Sequence, residues 1–375
     1  MLAMHPTLLV GPADWDPARM PKDEFLARIA AFWRRCPSAG GAIVYGDRAH
    51  HAELAYLTNL TPKLEAALAL IPRAGAPQLL LGGGVNMLPA AKPLTWIEDI
   101  RPLRNAGKAV AEWAREQPGD AGPVLIGGPS MPYALRQDIG KGLGDAIEDK
   151  TSDLSTLMRR KSARELAAIR EACATLAAAV AAIGEAQRAG VGATAAVLAG
   201  ERAANRRGAQ DVRTLFSLDG GRSLRPFDTP VERAVDQLQV YVAVRQSGYW
   251  AEGFAALTAS ALAGALQAGR VLHSVLPLVQ AGKPCSEVAR AVAQAIRPKR
   301  PHPVSARIVG NSIGLALEEY PLITAECADK FEPGEVYSLR VGFAEEHTGT
   351  AIVSAMISVN EDGNELLWPH AGATT

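Results

Sequence analysis

Short apolar runs alternate with amphipathic stretches over the first 150 residues. In residues 21–36, Phe25, Ile29 and either Phe32 or Trp33 recur at helical spacing, which predicts an amphipathic helix. The other elements predicted here are a second helix (106–116) and four buried strands (41–46, 67–72, 77–82 and 122–128). Because strands alternate with helices, the pattern predicts an α/β domain in which helices flank a sheet.

The segment SARE, which begins at Ser162, opens a long helix in the second half of the chain. The Ser162 hydroxyl can accept from the amide of Glu165 while the Glu165 carboxylate reaches back, which is a capping box. The apolar residues that follow recur at steps of three and four and form one stripe: Leu166, Ile169, Cys173, Leu176, Val180 and Ile183. This spacing predicts one long helix that ends at Gly190.

Helices and strands are grouped apart in the carboxy-terminal part of the chain. The predicted helices are 260–281 and 286–296, and the predicted strands are 238–244, 247–257, 304–310, 335–344 and 350–360. Such grouping favours a curved antiparallel sheet backed by helices. The fold class is therefore predicted to be α+β, with a small amino-terminal α/β domain over residues 1–155 and a second domain over 156–375.

Composition and charge exclude several classes of partner. The 375 residues carry a formal net charge of +0, so no overall field attracts nucleic acid or an anionic membrane. No run of 18 apolar residues and no signal peptide are visible, so no membrane partner is expected. The four cysteines form no CxxC pair, which favours reduced thiols and a cytoplasmic location.

Several segments, in order along the chain, resemble motifs of one family. They are ELAYLTNL, MRRKSARELAAIREAC, GYWAEGF, GNSIGLALEEYP, FEPGEVYSLRVGF and SAMISVNEDGNELL. Together they are similar to the pita-bread family of aminopeptidase P, prolidase and creatinase, over about residues 20–368. The resemblance implies that the second domain has the pita-bread fold, a curved antiparallel sheet backed by helices, and that the chain forms a homodimer.

The resemblance also locates a site at which the family usually binds two divalent metal ions. Its five ligands are two aspartates, one histidine and two glutamates, and every one of these positions differs here. The first aspartate falls within Tyr241–Val244, and the second becomes Glu252. The histidine becomes Asn311, and the two glutamates become Arg340 and Ser354. Because arginine repels cations and one carboxylate cannot replace four, no metal and no other cofactor are expected.

The replacements are polar, which favours a pocket for a polar ligand over a site that has lost its use. The predicted activity is metal-independent hydrolysis of a C–N bond, amide or amidino, in a small polar or zwitterionic molecule. Such chemistry needs a base or nucleophile and donors to the developing oxyanion. The predicted catalytic residues are Glu252, Glu318, Glu319 and His302. The predicted substrate-binding residues are Asn311, Arg340, Ser354 and Arg245.

Other interpretations remain open at this point. The chain could be a catalytically inactive pita-bread protein that only binds a partner, or, less in keeping with the residues, a metal-dependent Xaa-Pro peptidase. His302 could be a loop histidine held by neighbouring prolines. Because adjacent side chains point apart in extended backbone, only one of Glu318 and Glu319 is expected to face a pocket. Arg340 is expected either to pair with Glu252 or to bind an anionic group of the ligand.

Overall fold

The computed structural model describes residues 11, 14–117, 121–144, 147–219, 221–227, 230–235, 238–257, 259–297, 299–345 and 349–369. Most of the amino-terminal stretch in which no signal peptide is expected lies outside these residues. The chain divides into two compact units, Met1–Met158 and Arg159–Thr375, and each is described by itself.

The first unit contains a five-stranded mixed sheet. Its strands are β1 (Gly41–Gly46), β2 (Ala67–Pro72), β3 (Gln78–Leu81), β4 (Asp99–Pro102) and β5 (Pro123–Ile126), in the order β4-β3-β2-β1-β5. The helices are α1 (Lys22–Arg35), α2 (Ala52–Thr58), α3 (Leu88–Ala91), α4 (Ala106–Glu116), α5 (Tyr133–Leu143) and α6 (Thr151–Arg159), which ends at the boundary of the units. Antiparallel β1–β2 and parallel β1–β5 pairing confirm the predicted α/β organisation.

The second unit begins with the long helix that the capping box predicted. Its helices are α7 (Ala163–Arg188), α8 (Ala193–Arg206), α9 (Ala259–Val275) and α10 (Cys285–Ala295). Ser162 accepts from the Glu165 amide, and the Glu165 carboxylate accepts from the Ser162 amide, so both bonds of the box form. One 18-residue window of α7 has a mean hydropathy of 1.7, enough by length and composition to cross a membrane. Because Ile169, Leu176 and Ile183 are completely buried in this fold, we interpret α7 as a core helix.

Two antiparallel sheets form the rest of this unit. The strands are β6 (Asp211–Ser217), β7 (Gln239–Gln246), β8 (Tyr249–Ala256), β9 (Arg300–Pro301), β10 (Gly310–Ser312), β11 (Glu319–Ile323), β12 (Val336–Glu345), β13 (Gly349–Asn360) and β14 (Gly363–Trp368). One sheet has the order β6-β7-β8; the other has the order β11-β10-β12-β13-β14, with β9 paired to β12. The antiparallel sheets and the helices packed on them confirm the predicted α+β class.

The apolar core of this unit lies between α9, α10 and the larger sheet. Its members include Leu272, Val288, Val292, Phe331, Tyr337, Leu339, Phe343 and Ile357.

The Trp368 ring packs closely against strand β8 at Gly253. A Cβ added at Gly253 would stand 2.5 Å from this ring. Glycine therefore lets the indole lie directly on the β8 backbone, and the neighbouring Glu252 points to the opposite face of the strand.

The structure departs from the sequence expectation at residues 304–310. A strand was predicted there, but Pro303–Ser305 form a short 3-10 helix and β10 begins only at Gly310. The cause is local, because the His302 side chain accepts from the Val304 amide and Pro303 holds the first turn. Helix α8 and the strands β6, β11 and β14 were not predicted, since alanine-rich or polar segments give weak periodic signals.

A buried charge network lies at the start of the second unit. The Arg159 Nε atom donates to Glu335 Oε1 at 2.7 Å, and Nη1 donates to Asp329 Oδ1 at 2.7 Å. The second oxygen of Glu335 accepts from the Tyr337 hydroxyl at 2.7 Å and from the Glu332 amide at 2.8 Å. Glu335 is 0% exposed, so its charge is neutralised entirely by groups within the fold.

Candidate active site

Glu252 lies near the middle of β8, where the hairpin register places it opposite Ala243 of β7. Side chains alternate along a strand, so Tyr241, two residues before Ala243, projects from the same face as Glu252. The Tyr241 hydroxyl donates to Glu252 Oε2 at 2.6 Å. Of the segment Tyr241–Val244, Tyr241 is therefore the residue whose side chain meets the Glu252 carboxylate.

Arg340 approaches the other oxygen of the same carboxylate from β12. Its Nη1 atom lies 3.7 Å from Glu252 Oε1, with the two side chains 12% and 6% exposed. The expected pairing with Glu252 is present, although 3.7 Å is an ion pair and too long for a hydrogen bond. Within the described part of the chain, Glu252 Oε1 is buried without a hydrogen-bond partner. The Arg340 Nε atom is held by the Ile308 carbonyl at 3.3 Å.

Burial and charge keep the tyrosine of this cluster neutral. Burial, followed by the negative charge of Glu252, raises the pKa of Tyr241 well above its usual range. Tyr241 is therefore protonated near neutral pH and donates its hydrogen bond to Glu252 Oε2. The other oxygen, Oε1, faces the Arg340 guanidinium and is the one available to accept a hydrogen bond or a proton from a ligand.

Asn311 and Ser354 both make hydrogen bonds to backbone groups in this structure. The Asn311 amide nitrogen donates to the carbonyls of Ser312 at 2.8 Å and Leu317 at 3.0 Å, which closes the loop after β10. Both of its N–H groups are thereby used by backbone carbonyls in this structure, and the predicted substrate-binding role of Asn311 stays a prediction. The Ser354 hydroxyl accepts from the Phe254 amide at 2.8 Å and joins β13 to β8.

The two adjacent glutamates of the GNSIGLALEEYP motif have different environments. Glu318 is exposed, whereas Glu319 is turned inward and its Oε2 atom accepts from Lys161 Nζ at 2.6 Å. Glu319 Oε1 also accepts from the Ala316 amide at 3.2 Å. Because the Lys161 and Glu319 side chains are only 2% and 9% exposed, they form a buried ion pair. The predicted catalytic roles of Glu318 and Glu319 stay predictions.

His302 is fixed by backbone groups on both ring nitrogens. Its Nε2 atom lies 3.0 Å from the Gly221 carbonyl, and Nδ1 accepts from the Val304 amide at 3.2 Å. These partners require the neutral tautomer that carries its proton on Nε2. Burial lowers the pKa of His302, in agreement with that state. These backbone contacts are in keeping with the alternative interpretation of His302 as a loop histidine, and its role as a proton carrier stays a prediction.

Arg245 lies at the turn end of the β7–β8 hairpin, opposite Trp250. Its Nε atom donates to the Gly248 carbonyl at 3.1 Å. Burial lowers the pKa of Arg245 to about 10, and the charge of Asp211 opposes that shift. Arg245 therefore packs at the end of the hairpin, and its predicted substrate-binding role stays a prediction.

Comparison with known structures decides the architecture. A dipeptidase PepE of Mycobacterium ulcerans superposes with a TM-score of 0.73, over 96% of this chain and 98% of its own, at 17% identity. A prolidase of Pyrococcus horikoshii gives a TM-score of 0.74 over 93% and 99% of the two chains at 14% identity. The chain has the pita-bread fold. A variant of Escherichia coli aminopeptidase P agrees, with a TM-score of 0.74 over 97% and 96% at 13% identity.

At the level of sequence alone, no protein-family model and no curated protein matches this pita-bread chain. The likeness to these peptidases is therefore one of fold, and the chemistry has to be argued from the site itself. The site of this pita-bread chain centres on Tyr241, Glu252 and Arg340, because these side chains meet one another and not merely the backbone.

The donor set of this site does not fit two divalent metal ions. Among the described residues, no group of three or more histidine, cysteine, aspartate or glutamate side chains is placed to hold a metal. The Tyr241 hydroxyl donates a hydrogen bond to Glu252, and the Arg340 guanidinium brings fixed positive charge to the same carboxylate. Hard cations prefer several anionic oxygen ligands, so this arrangement would repel them.

The protein is expected to purify without stoichiometric metal and to be insensitive to chelators. The Arg340 charge beside Glu252 opposes binding of a second cation, so neither stability nor any activity should change with EDTA. Elemental analysis of the purified protein and thermal unfolding with and without EDTA measure this. Near two equivalents of manganese, zinc or cobalt per chain would contradict the expectation that this site binds no metal.

Sequence reasoning did not single out Tyr241 or Lys161 as functional partners. The signal for Tyr241 was present, since a short β7–β8 turn fixes which residue of Tyr241–Val244 shares a face with Glu252. Lys161 gave no such signal, because its contact with Glu319 joins positions 158 residues apart.

Proposed function

We propose that the second unit is a metal-independent hydrolase of a C–N bond in a small polar or zwitterionic molecule. The observation that carries the proposal is the buried Glu252 carboxylate, with one oxygen fixed by Tyr241 and the other without a hydrogen bond beside Arg340. A buried unsatisfied acceptor costs about 1–3 kcal/mol, so a fold that retains one beside a cation has a use for it in binding or catalysis.

The geometry supports a general-base mechanism. Glu252 Oε1 takes a proton from a water whose oxygen attacks the carbonyl carbon, and the Arg340 guanidinium donates to the oxyanion that develops. The C–N bond then breaks, and the proton passes from Glu252 to the leaving nitrogen, so the carboxylate is regenerated. Tyr241 orients the carboxylate throughout and does not transfer its own proton, because its pKa lies far above neutrality.

A substrate panel in the presence of EDTA tests this function. Purified protein is incubated with N-acyl amino acids, lactams, ureido acids and amidines, and released amine or ammonia is followed by NMR. Release from at least one class, insensitive to EDTA, is the expected result. No release from any class by concentrated wild-type protein would count against the hydrolase.

A second candidate, a catalytically inactive binding protein, is favoured by one specific observation. Among the replacements and predicted catalytic groups, Asn311, His302 and Glu319 all make their hydrogen bonds within the fold. A protein with this function would bind a ligand or partner at the Glu252–Arg340 pair without turnover. Binding of a panel compound, without product at long incubation, distinguishes it from the hydrolase.

We further propose that the chain acts as a homodimer in the cytoplasm, as the family resemblance and the cysteine usage suggest. Light scattering at micromolar concentration is expected to give about twice the 39.5 kDa mass of the chain. A mass near that of one chain would contradict the dimer. We also propose that the ligand is a small molecule and that neither nucleic acid nor a membrane is a partner.

A further inference from the structure

The Glu252–Arg340 pair presents an acceptor and a donor side by side. Glu252 Oε1 and Arg340 Nη1 stand 3.7 Å apart, too far for a hydrogen bond to each other, and Glu252 Oε1 is buried with no hydrogen-bond partner among the described residues. Each side chain is fixed from behind, Glu252 by the Tyr241 hydroxyl at 2.6 Å and Arg340 by the Ile308 carbonyl at 3.3 Å. The two atoms are therefore held in place, and neither satisfies the other.

We propose that this pair binds the edge of a cis amide, which makes the substrate a lactam, a primary amide or a ureido compound. The proposal rests on the proposed function and names its substrate class. The amide N–H donates to Glu252 Oε1 and the amide carbonyl accepts from Arg340, so one planar group satisfies both atoms. Each of these bonds involves a charged protein group, the stronger class of hydrogen bond.

The geometry of the C–N group decides between substrate classes. In a cis amide the N–H and the C=O lie on the same edge, whereas an ordinary trans amide directs them to opposite sides. An Xaa-Pro amide has no N–H at all, and so has nothing to donate to Glu252. An amidinium offers only donors and carries a positive charge, which the Arg340 guanidinium would repel. The site thus selects against both the Xaa-Pro peptide bond and the amidino group.

This arrangement also places the reacting atoms. The carbonyl oxygen that accepts from Arg340 is the atom on which negative charge develops when water attacks, so the ground-state contact becomes stronger in the transition state. Glu252 lies on the nitrogen side of the same group, where the leaving nitrogen has to receive its proton. One lone pair of Glu252 Oε1 accepts the amide N–H and the other takes a proton from the attacking water, whose oxygen bonds to the amide carbon. The C–N bond breaks as Glu252 passes that proton to the leaving nitrogen, so the carboxylate is regenerated and no oxidant or cofactor is needed.

Binding of matched ligands tests the proposal independently of turnover. Pyroglutamate, a lactam, and N-acetylalanine, a trans amide, carry the same carboxylate and the same number of heavy atoms. Oxopipecolate supplies a six-membered lactam, and N-methylpyroglutamate keeps the ring but lacks the N–H. Calorimetry or ligand-observed NMR with the full-length protein is expected to show lactam binding at least about tenfold tighter than binding of N-acetylalanine or N-methylpyroglutamate.

Two variants separate recognition from chemistry. In Glu252→Gln the side-chain carbonyl can still accept the N–H, so the preference for pyroglutamate over N-methylpyroglutamate should persist while hydrolysis is lost. In Arg340→Met the donor is gone, and lactam binding should weaken by about tenfold or more, and by more than in Arg340→Lys. Arg170→Met is the matched control, because Arg170 pairs with Glu365 on the surface and should leave lactam binding unchanged.

Each outcome is decisive for one proposal. Lactams that bind in the expected order without being hydrolysed support the recognition and overturn the hydrolase. Hydrolysis of trans amides that Glu252→Gln abolishes supports the hydrolase and overturns the cis-amide recognition. The cis-amide recognition is also overturned if lactams fail to bind or bind no tighter than their N-methyl or trans counterparts. It is likewise overturned if the affinity for lactams is unchanged in Arg340→Met.

Discussion

Glu252→Gln is expected to lower turnover by about 10²–10⁴-fold for any substrate that the wild-type protein hydrolyses. The substitution keeps the shape of the side chain and its contact with the Tyr241 hydroxyl, but it removes the charge that takes a proton from water. It also leaves Arg340 without its anionic partner. Single-turnover and steady-state rates measure the loss, and the thermal unfolding midpoint reports whether the fold persists.

The matched control for this substitution is Glu365→Gln. Glu365 also pairs with an arginine, Arg170, at 2.6 Å, but both side chains are exposed, so turnover should stay within about twofold of wild type. A rate for Glu252→Gln within the same twofold range, with the fold intact, would remove Glu252 from the role of base. The role of base would then move to Glu318, which is exposed, or to Glu319, which is bound to Lys161.

Arg159→Met is expected to destabilise the protein by about 3–5 kcal/mol. Arg159 donates to Glu335 and Asp329, and Glu335 is 0% exposed, so removal of the guanidinium leaves a buried carboxylate without its cation. Methionine keeps much of the apolar stem, so the change in the free energy of unfolding reports mainly the loss of the charged guanidinium. Urea unfolding gives the change in the free energy of unfolding, with an unchanged slope as the sign that the native and unfolded states are comparable.

Arg170→Met is the control for this prediction, since it removes the same group from an exposed arginine–glutamate pair. It should change the free energy of unfolding by no more than about 1 kcal/mol. The double variant Arg159→Met/Glu335→Gln should recover part of the stability, because the uncompensated charge is then absent. A loss below about 1 kcal/mol in Arg159→Met, or no recovery in the double variant, would contradict the assigned network.

Local signals in the sequence were sufficient for most of the elements. The capping box at Ser162 and the apolar stripe through Ile169 and Leu176 predicted α7, and the structure shows both cap bonds and the buried stripe. Helix starts and apolar periods depend on residues three or four positions apart, so they can be read without the fold. The order of the family-like motifs likewise predicted the α+β class and the pita-bread architecture.

The partners of the polar residues could not be predicted in the same way. Asn311, His302 and Glu319 were each assigned to chemistry from their motif, yet their hydrogen bonds go to Leu317, Gly221 and Lys161. A polar side chain is compatible with either a ligand or an internal partner, and burial demands only that some partner exists. Which of the two it finds depends on segments that are distant in sequence.

The amino-acid sequence was sufficient to predict the strongly periodic helices and the sheet-rich second half, and its resemblance to the family placed Glu252, Asn311, Arg340 and Ser354 at metal-ligand positions. It was not sufficient to predict that Tyr241 contacts Glu252, that Arg340 lies 3.7 Å from Oε1, or that Asn311 and Ser354 bond to backbone groups. The difference comes from the distance along the chain between the interacting groups. Helix periodicity and caps are local, whereas hydrogen bonds between strands and across sheets depend on register, which the packing of the whole unit fixes.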